Sequence, residues 1–397
     1  MKTENARPLA GLATSKRVQG VLAGLAGGVL LTSGVAVGAI NATSPKSAAI
    51  HGCVSNRTRA LTVPRTGHCP RGTTTLNWNG SGPRGPQGPA AIPGWGRILS
   101  GSPYHLAGPF DMAFSRGDIW VVNFAGNSLT ELDASTGAFV KNISGGSFKL
   151  SKPVRILAVG ADIWVVNQGN NSVTEVNALA GTFIRNISAS KYHFSIPQQI
   201  VSDGKDIWVG NLAGSITELN ASTGAFVRNI SGASYKFNIP EGMAINNGNV
   251  WVSNGGNNSV TELSARTGTF IRNLSGGLYD FNVPGNLVSD GRHIWVASVN
   301  DVLTELSASG GAFVRSLSGG PFAFNNLAGL AFDGRHIWVA SSMGNSVDEV
   351  NAADGTLIRI APAELFGFDQ PDPLTFDGSH IWVANFLGNS LTELPPG

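Results

Sequence analysis

Charge is scarce in this 397-residue chain: Asp, Glu, Lys and Arg make up 13% of it, against about 25% in an ordinary soluble domain. That scarcity excludes a charge-driven disordered chain and a coiled coil. Cysteine is scarcer still, with Cys53 and Cys69 near the N-terminus and none in the rest of the chain. Two thiols at C-x15-C spacing cannot build a zinc site alone. Familiar catalytic signatures are missing too: there is no G-x-S-x-G elbow, Walker loop, H-E-x-x-H or EF-hand loop. What is abundant is Gly (52), Pro (20) and Trp (9) in a chain that is 42% hydrophobic. This composition suits many short strands joined by turns rather than long surface helices.

The net charge of +2 conceals a split, because residues 1–96 carry +9 and residues 97–397 carry −7. Residues 20–40 are free of charge and follow Lys16 and Arg17. Such a run is long enough to cross a bilayer, which needs about 20 apolar residues. It reads either as an uncleaved single-pass anchor or as a cleaved signal, since Val37-Gly38-Ala39 and Ile40-Asn41-Ala42 resemble a peptidase site. Basic residues on the short side keep that side cytoplasmic, so everything after residue 42 is expected outside the cell. In that oxidising compartment a Cys53–Cys69 disulfide is the expected state, stapling a module too short to build its own core. The stretch 41–96 holds no acid, which fits contact with anionic membrane or wall polymers.

Residues His51-Gly52-Cys53-Val54, Ala60 to Val63, Cys69-Pro70-Arg71-Gly72 and Leu76-Asn77-Trp78-Asn79, followed by GPRGPQGPA at 82–90, resemble a membrane-proximal module of actinobacterial surface proteins that precedes a collagen-like stalk. Three Gly-X-Y triplets are too few to trimerise alone, and the tract reads as a semi-rigid spacer. The expected organisation is 1–42 leader and membrane or signal segment, 43–81 disulfide module, 82–96 spacer, and 97–397 a repeat domain.

The repeat announces itself through tryptophan. Trp120, Trp164, Trp208, Trp251, Trp295, Trp338 and Trp382 recur every 43 or 44 residues, each inside an Ile-Trp-Val or Val-Trp-Val core. Glu131, Glu175, Glu218, Glu262, Glu305, Glu349 and Glu393 keep the same beat, and a basic residue follows the first six by ten positions. The last Glu has only two prolines and a glycine beyond Leu394, while Arg97-Ile98-Leu99-Ser100 matches Lys141-Asn142-Ile143-Ser144. The N-terminal strand therefore completes the blade that the C-terminus begins. Four short strands per period, repeated seven times and closed by strand exchange, predict an all-β, seven-bladed propeller. The c-to-d turn with Gly137 sets Glu131 opposite Lys141. The tryptophans read as filling the space between blades, and the periodic charges as part of the repeat itself.

A unique site belongs where the repeats differ. Strand a is innermost, and its first positions after a recurring Pro vary: Asp111, Arg155, Gln199, Glu241, Asn286 and Asp372 form a mixed polar rim at the channel mouth, the candidate ligand surface. His293, His336 and His380 occupy one equivalent position in three blades. Equivalent positions lie a whole sheet apart, about 10 Å or more, so these three cannot share an ion, and strand-edge turns account for them; no metal site is assigned. The aromatic motifs Tyr192-His193-Phe194, Tyr235-Lys236-Phe237 and Tyr279-Asp280-Phe281 read as blade caps.

Over 97–397 the strings Ile-Trp-Val-Ala-Asn, Asn-Ser-Leu-Thr-Glu-Leu and Ala-Ser-Thr-Gly-Ala-Phe-Val-Arg resemble YVTN-type and NHL-type bacterial propellers. In repeat style they are similar to the streptogramin B lyases. That likeness implies a metal-dependent enzyme with a His base and carboxylates at the channel mouth. Here the rim offers Asp111, Glu241 and Asp372 but no histidine, a departure that argues against lyase activity. The expected function is an exported envelope module, monomeric in its propeller, binding a protein, glycan or small ligand without a cofactor. The alternative is a metal-dependent lyase or hydrolase, the one case calling for a divalent ion. The acidic ring disfavours nucleic acid as a partner.

Overall fold

A computed structural model describes residues 49–55, 61–62, 68–71, 73–79 and 96–395. The 1–42 leader, with its apolar run, and all of the Gly-Pro spacer except Gly96 lie outside the described residues. The chain forms two compact units, one carrying a small sheet and the other the propeller. In the first, Ala49–Ser55 is the central strand, flanked antiparallel by Leu61–Thr62 and Thr73–Asn79. Cys53 is disulfide-bonded to Cys69, as the compartment reasoning expects.

The propeller is a ring of seven four-stranded antiparallel meanders. Blade 1 consists of strands a (Pro109–Ser115), b (Asp118–Asn123), c (Ser128–Asp133) and d (Phe139–Ile143). Blades 2 to 6 follow at residues 153–187, 197–230, 240–275, 284–317 and 327–362. Blade 7 takes a, b and c from Pro371–Phe376, Ile381–Asn385 and Ser390–Leu394, and d from Arg97–Ser100. Glu393 pairs with Arg97, Thr392 with Ile98, Leu391 with Leu99 and Ser390 with Ser100, which is the expected closure. Among the described residues helix is confined to single turns in loops, and none is long and apolar enough to cross a membrane.

Strand b is buried along nearly its whole length because sheets cover both its faces, which is why it reads as an uninterrupted apolar run. All seven repeat tryptophans are fully buried. Each packs onto the following blade: Trp208 of blade 3 against Met243, Val250 and Val252 of blade 4, and Trp382 of blade 7 against Met112, Ile119 and Val121 of blade 1. One such ring buries on the order of 200 Å², about 5 kcal/mol at ~25 cal/mol per Å².

The predicted ion pairs are present in every blade, with Glu opposite Lys or Arg in the c–d register. Distances such as Arg185–Glu175 at 2.6 Å and Arg272–Glu262 at 2.7 Å go with glutamates that are almost fully buried. The structure adds a second role that pairing alone does not reveal. The guanidinium also donates to carbonyls of the c–d turn of the next blade: Arg97 to Ala134 O at 2.7 Å, Arg185 to Thr223 O and Arg228 to Thr267 O, while Arg359 donates at 2.5 Å to Pro395 O, just beyond strand c of blade 7. That turn approaches so closely that a Cβ on Gly224 would lie 2.9 Å from Ile187 Cδ1, and Gly224 also has a positive φ of 66°. Only glycine meets both demands without strain.

A buried polar ladder tops most blades. In blade 1, Asn123 Nδ2 donates to Ser128 and Thr130, Asn142 Nδ2 donates to Thr130, and Thr130 Oγ1 donates to Tyr104 O. Blade 6 breaks it: Asp348 stands in the Thr position, fully buried, with Oδ2 accepting from Ala323 N at 2.9 Å and Oδ1 without a hydrogen-bond partner. Burial pushes Asp348 up to about 6. Its stabilising, protonated form is thus lost as pH rises through that value. Asp348→Thr is expected to raise stability at pH 8 by about 1–3 kcal/mol, with a smaller gain at pH 5. Urea unfolding midpoints at the two pH values check this, and an unchanged or lower midpoint at pH 8 would refute it.

Candidate functional site

The upper face of the ring is where strand a enters from the d-to-a loops and where the b-to-c turns lie. At this end every strand a carries a register shift against strand b, immediately after its first residue. A bulge re-aims side chains out of the regular pleat, and the bulged positions are the variable ones: Phe110 and Asp111 in blade 1, Gln198 and Gln199 in blade 3, Asp372 and Pro373 in blade 7.

The structure divides the six rim residues into two arcs. In the first, across blades 7, 1 and 2, Asp111 lies within electrostatic range of both Arg155 and Asp372. Its Oδ2 accepts from Ile156 N of blade 2 at 3.0 Å and its Oδ1 from Met112 N at 2.9 Å. Burial pushes Asp111 up to about 6; Arg155 and the two backbone donors oppose that, and Asp372 adds to it. Arg155 donates to Val154 O at 2.9 Å and sits 5.4 Å over the Phe110 ring. Phe110 in turn meets Phe124 and Phe386, on the b-to-c turns of blades 1 and 7, at 5.5 and 5.6 Å. Leu387 beside Phe386 is 52% exposed, so this arc presents apolar surface next to its charges.

In the second arc the polar groups tie blades together. Gln199 Nε2 donates to Glu241 O of blade 4 at 2.5 Å and to Asn286 Oδ1 at 3.4 Å, and Asn286 Nδ2 donates to Ala328 O of blade 6 at 2.5 Å. Where the side chain is missing the backbones close up: a Cβ on Gly329 would fall 1.6 Å from Asp372 O. The Glu241 carboxylate lies against its own b-to-c turn, where a Cβ on Gly255 would come within 2.8 Å of Oε1.

The five propeller histidines stand elsewhere. His105 and His193 contact Phe139 and Phe226 on strand d, the outermost strand. Tyr192, Tyr235 and Tyr279 also pack on strand-d phenylalanines, which is how the aromatic motifs cap the blades. His293 and His336 begin strand b and turn Nδ1 toward the glutamate of strand c and an aspartate three residues back. The same aspartates, with Asp377, accept the Trp295, Trp338 and Trp382 indole N–H at 2.8–3.0 Å. In blades 1 to 4 the indole N–H has no hydrogen-bond partner. Burial alone would raise Asp290 and Asp333, but the indole and backbone donors outweigh it and hold both below the usual carboxylate range. Comparing equivalent positions between blades missed these groupings, because the partners sit within one blade. The recurring Asp-Gly-Arg-His or Asp-Gly-Ser-His before Ile-Trp in blades 5 to 7 is the signal that marks them.

No known family model matches this chain, and no curated protein matches it. Solved structures do resemble it. A streptogramin B lyase structure is 18% identical, covering 76% of this chain and 98% of that one with a TM-score of 0.63. A catalytically inactive His-to-Ala variant of virginiamycin B lyase from Staphylococcus aureus, with quinupristin, is 15% identical over 76% of this chain and 100% of that one, also at 0.63. BamB from Moraxella catarrhalis is 14% identical over 72% of this chain and 82% of that one, at 0.51. At these identities the likeness is one of fold: this chain carries a seven-bladed β-propeller structurally similar to streptogramin B lyase.

Proposed function

We propose that this protein is an exported, envelope-associated binding module, held outside the cell by its N-terminal segment and Gly-Pro spacer, that takes a protein or glycan on the upper face of its propeller. The carrying observation is the arc across blades 7, 1 and 2. There the strand-a bulges bring Asp111, Arg155 and Asp372 together beside three phenylalanines and the exposed Leu387. Charged groups that are partly desolvated beside aromatic anchors are the usual makings of a recognition surface. The basic, acid-free stretch 41–96 and its resemblance to a surface-protein module support the location. The lyase alternative rests on likeness of fold, and it lacks a base: no strand a in the ring carries a histidine, whereas an inactive His-to-Ala variant is known for virginiamycin B lyase.

Asp372→Asn and Arg155→Gln test the site, because neither side chain makes a hydrogen bond to a neighbouring blade in the described structure. Each is expected to weaken binding of the protein to isolated envelopes and purified wall glycan at least about tenfold, the loss of one or more hot-spot contacts, with the melting temperature unchanged in Asp372→Asn and lowered in Arg155→Gln, which leaves buried Asp111 without its cation. Leu179→Ser, on the c-to-d turn of blade 2, is the control. Binding that survives both rim variants and falls with the control would place the site elsewhere.

A further inference from the structure

Blades 5 and 6 each bring an Asp, a His and a Glu to one point. His293 Nδ1 lies 3.1 Å from Asp290 Oδ2 and 3.2 Å from Glu305 Oε1; His336 Nδ1 lies 3.1 Å from Asp333 Oδ2 and 3.0 Å from Glu349 Oε1. In each blade all three ligand atoms fall within 4.8 Å of one another. Both glutamate side chains are fully buried, and their Oε1 atoms, aimed into the cluster, make no hydrogen bond and face only the imidazole Nδ1. The other carboxylate oxygens have partners outside the cluster. Asp290 Oδ1 and Asp333 Oδ1 accept two backbone N–H groups each, the Oδ2 atoms accept the indole N–H, and the Arg315 and Arg359 guanidinium groups hold the far oxygen of each Glu at 2.6 and 2.5 Å.

We propose that these are two divalent metal sites of the zinc class, one in blade 5 and one in blade 6. Tetrahedral Zn²⁺ binds nitrogen and carboxylate oxygen at about 2.0–2.2 Å, which sets neighbouring ligand atoms roughly 3.3 Å apart, and the Nδ1-to-oxygen spacings here match that edge. One imidazole with two carboxylates is a donor set for Zn²⁺ rather than Ca²⁺ or Mg²⁺, which favour all-oxygen shells. Indole and guanidinium stand where outer-shell groups orient metal-binding carboxylates. With a neutral imidazole, two carboxylates and one guanidinium leave a net negative charge for the cation to offset. The side chains of His293 and His336 are 27% and 10% exposed, leaving a solvent side for a water as fourth ligand.

The other blades fill the same slot differently. In blade 4 an amide does the cation's work, with Asn249 Nδ2 donating to Glu262 Oε1 at 2.7 Å. Blades 1 to 3 set an aspartate there and lack the imidazole. In blade 7 His380 is looser, 3.6 Å from Asp377 and 39% exposed, so two tight sites per chain are expected, not three.

The test is titration of the full chain, stripped with chelator, with Zn²⁺ by calorimetry and with Co²⁺ by visible absorption. The expected result is two ions per chain and the intense bands of tetrahedral Co²⁺. His293→Asn and His336→Asn, which copy blade 4 and so should unfold as cooperatively as the parent, are each expected to remove one ion and about half the absorption. Fewer than one Zn²⁺ per chain, or an ion count unchanged in the two folded variants, overturns the proposal, and the Nδ1 proton then bridges the carboxylates.

Discussion

A chain that begins at residue 101 is expected to lose the cooperative unfolding of the ring. Strand d of blade 7 is Arg97–Ser100, and no other segment among the described residues pairs with Ser390–Leu394 on that edge. Its removal takes away Leu99, 7% exposed among Met112, Leu132 and Leu391. It also removes the Arg97 guanidinium, which pairs with Glu393 and reaches Ala134 O of blade 1. Emptying a buried Leu site costs about 2–5 kcal/mol, and stranding a buried carboxylate about 3–5 kcal/mol. Together they rival the 5–15 kcal/mol that holds a typical domain folded. Leu99→Ala and Arg97→Ala should each show a share of the loss in thermal or urea unfolding. A truncated chain that unfolds at the parent midpoint would show that the ring does not depend on this strand.

Asp162→Asn and Asp206→Asn are expected to stabilise the protein at pH 8 by about 1–3 kcal/mol each, and to change it little at pH 5. In blades 2 and 3 these aspartates are diagonal neighbours of Glu175 and Glu218, which stand opposite the tryptophans and whose side chains are 1% exposed. Burial pushes Glu175 and Glu218 up to about 7 from an ordinary 4.5; Arg185 and Arg228 oppose the shift, and Asp162 and Asp206 add to it. A carboxyl whose folded value is raised favours folding when protonated. Its contribution is therefore complete below about pH 4.5 and is lost as pH rises to about 7, at roughly 1.4 kcal/mol per unit. An asparagine removes the second carboxylate and can donate to the glutamate, as Asn249 does to Glu262 in blade 4. Urea midpoints from pH 5 to 8 should slope downward in the parent and flatten in the variants. A variant less stable than the parent at pH 8 would rule this account out.

The arrangement of carboxylate pairs, amide and imidazole in one slot was open to sequence reading only in part. Glu131 and its six equivalents announce themselves by period, and Asp118, Asp162, Asp206, Asn249, His293, His336 and His380 stand visibly at one position two before Trp. What hid their meaning is that strand b pairs with strand c antiparallel, so the residue two before Trp and the one at Glu are diagonal neighbours on one face. The aspartate five before Trp joins them through a turn. The rim was legible as a set of variable positions, but not as two arcs, because that division depends on which side chains the packed blades bring together. Asp111, Gln199 and Asn286 reach the backbone of the next blade, and a pattern of polar residues does not distinguish a side chain that bridges blades from one that faces solvent.

By itself the sequence determined the ring: seven Trp-centred units at 43 or 44 residues, their four strands, the Glu-to-basic register, and closure by Arg97–Ser100. Each of these follows from local periodicity and hydrogen-bond pairing, which the order of residues encodes directly. The tertiary structure decided what lies between units. Arg97 and its counterparts clamp the next blade's turn, and Asp111 joins Arg155 and Asp372. Such contacts depend on the twist and close approach of whole sheets, a geometry that no one repeat contains.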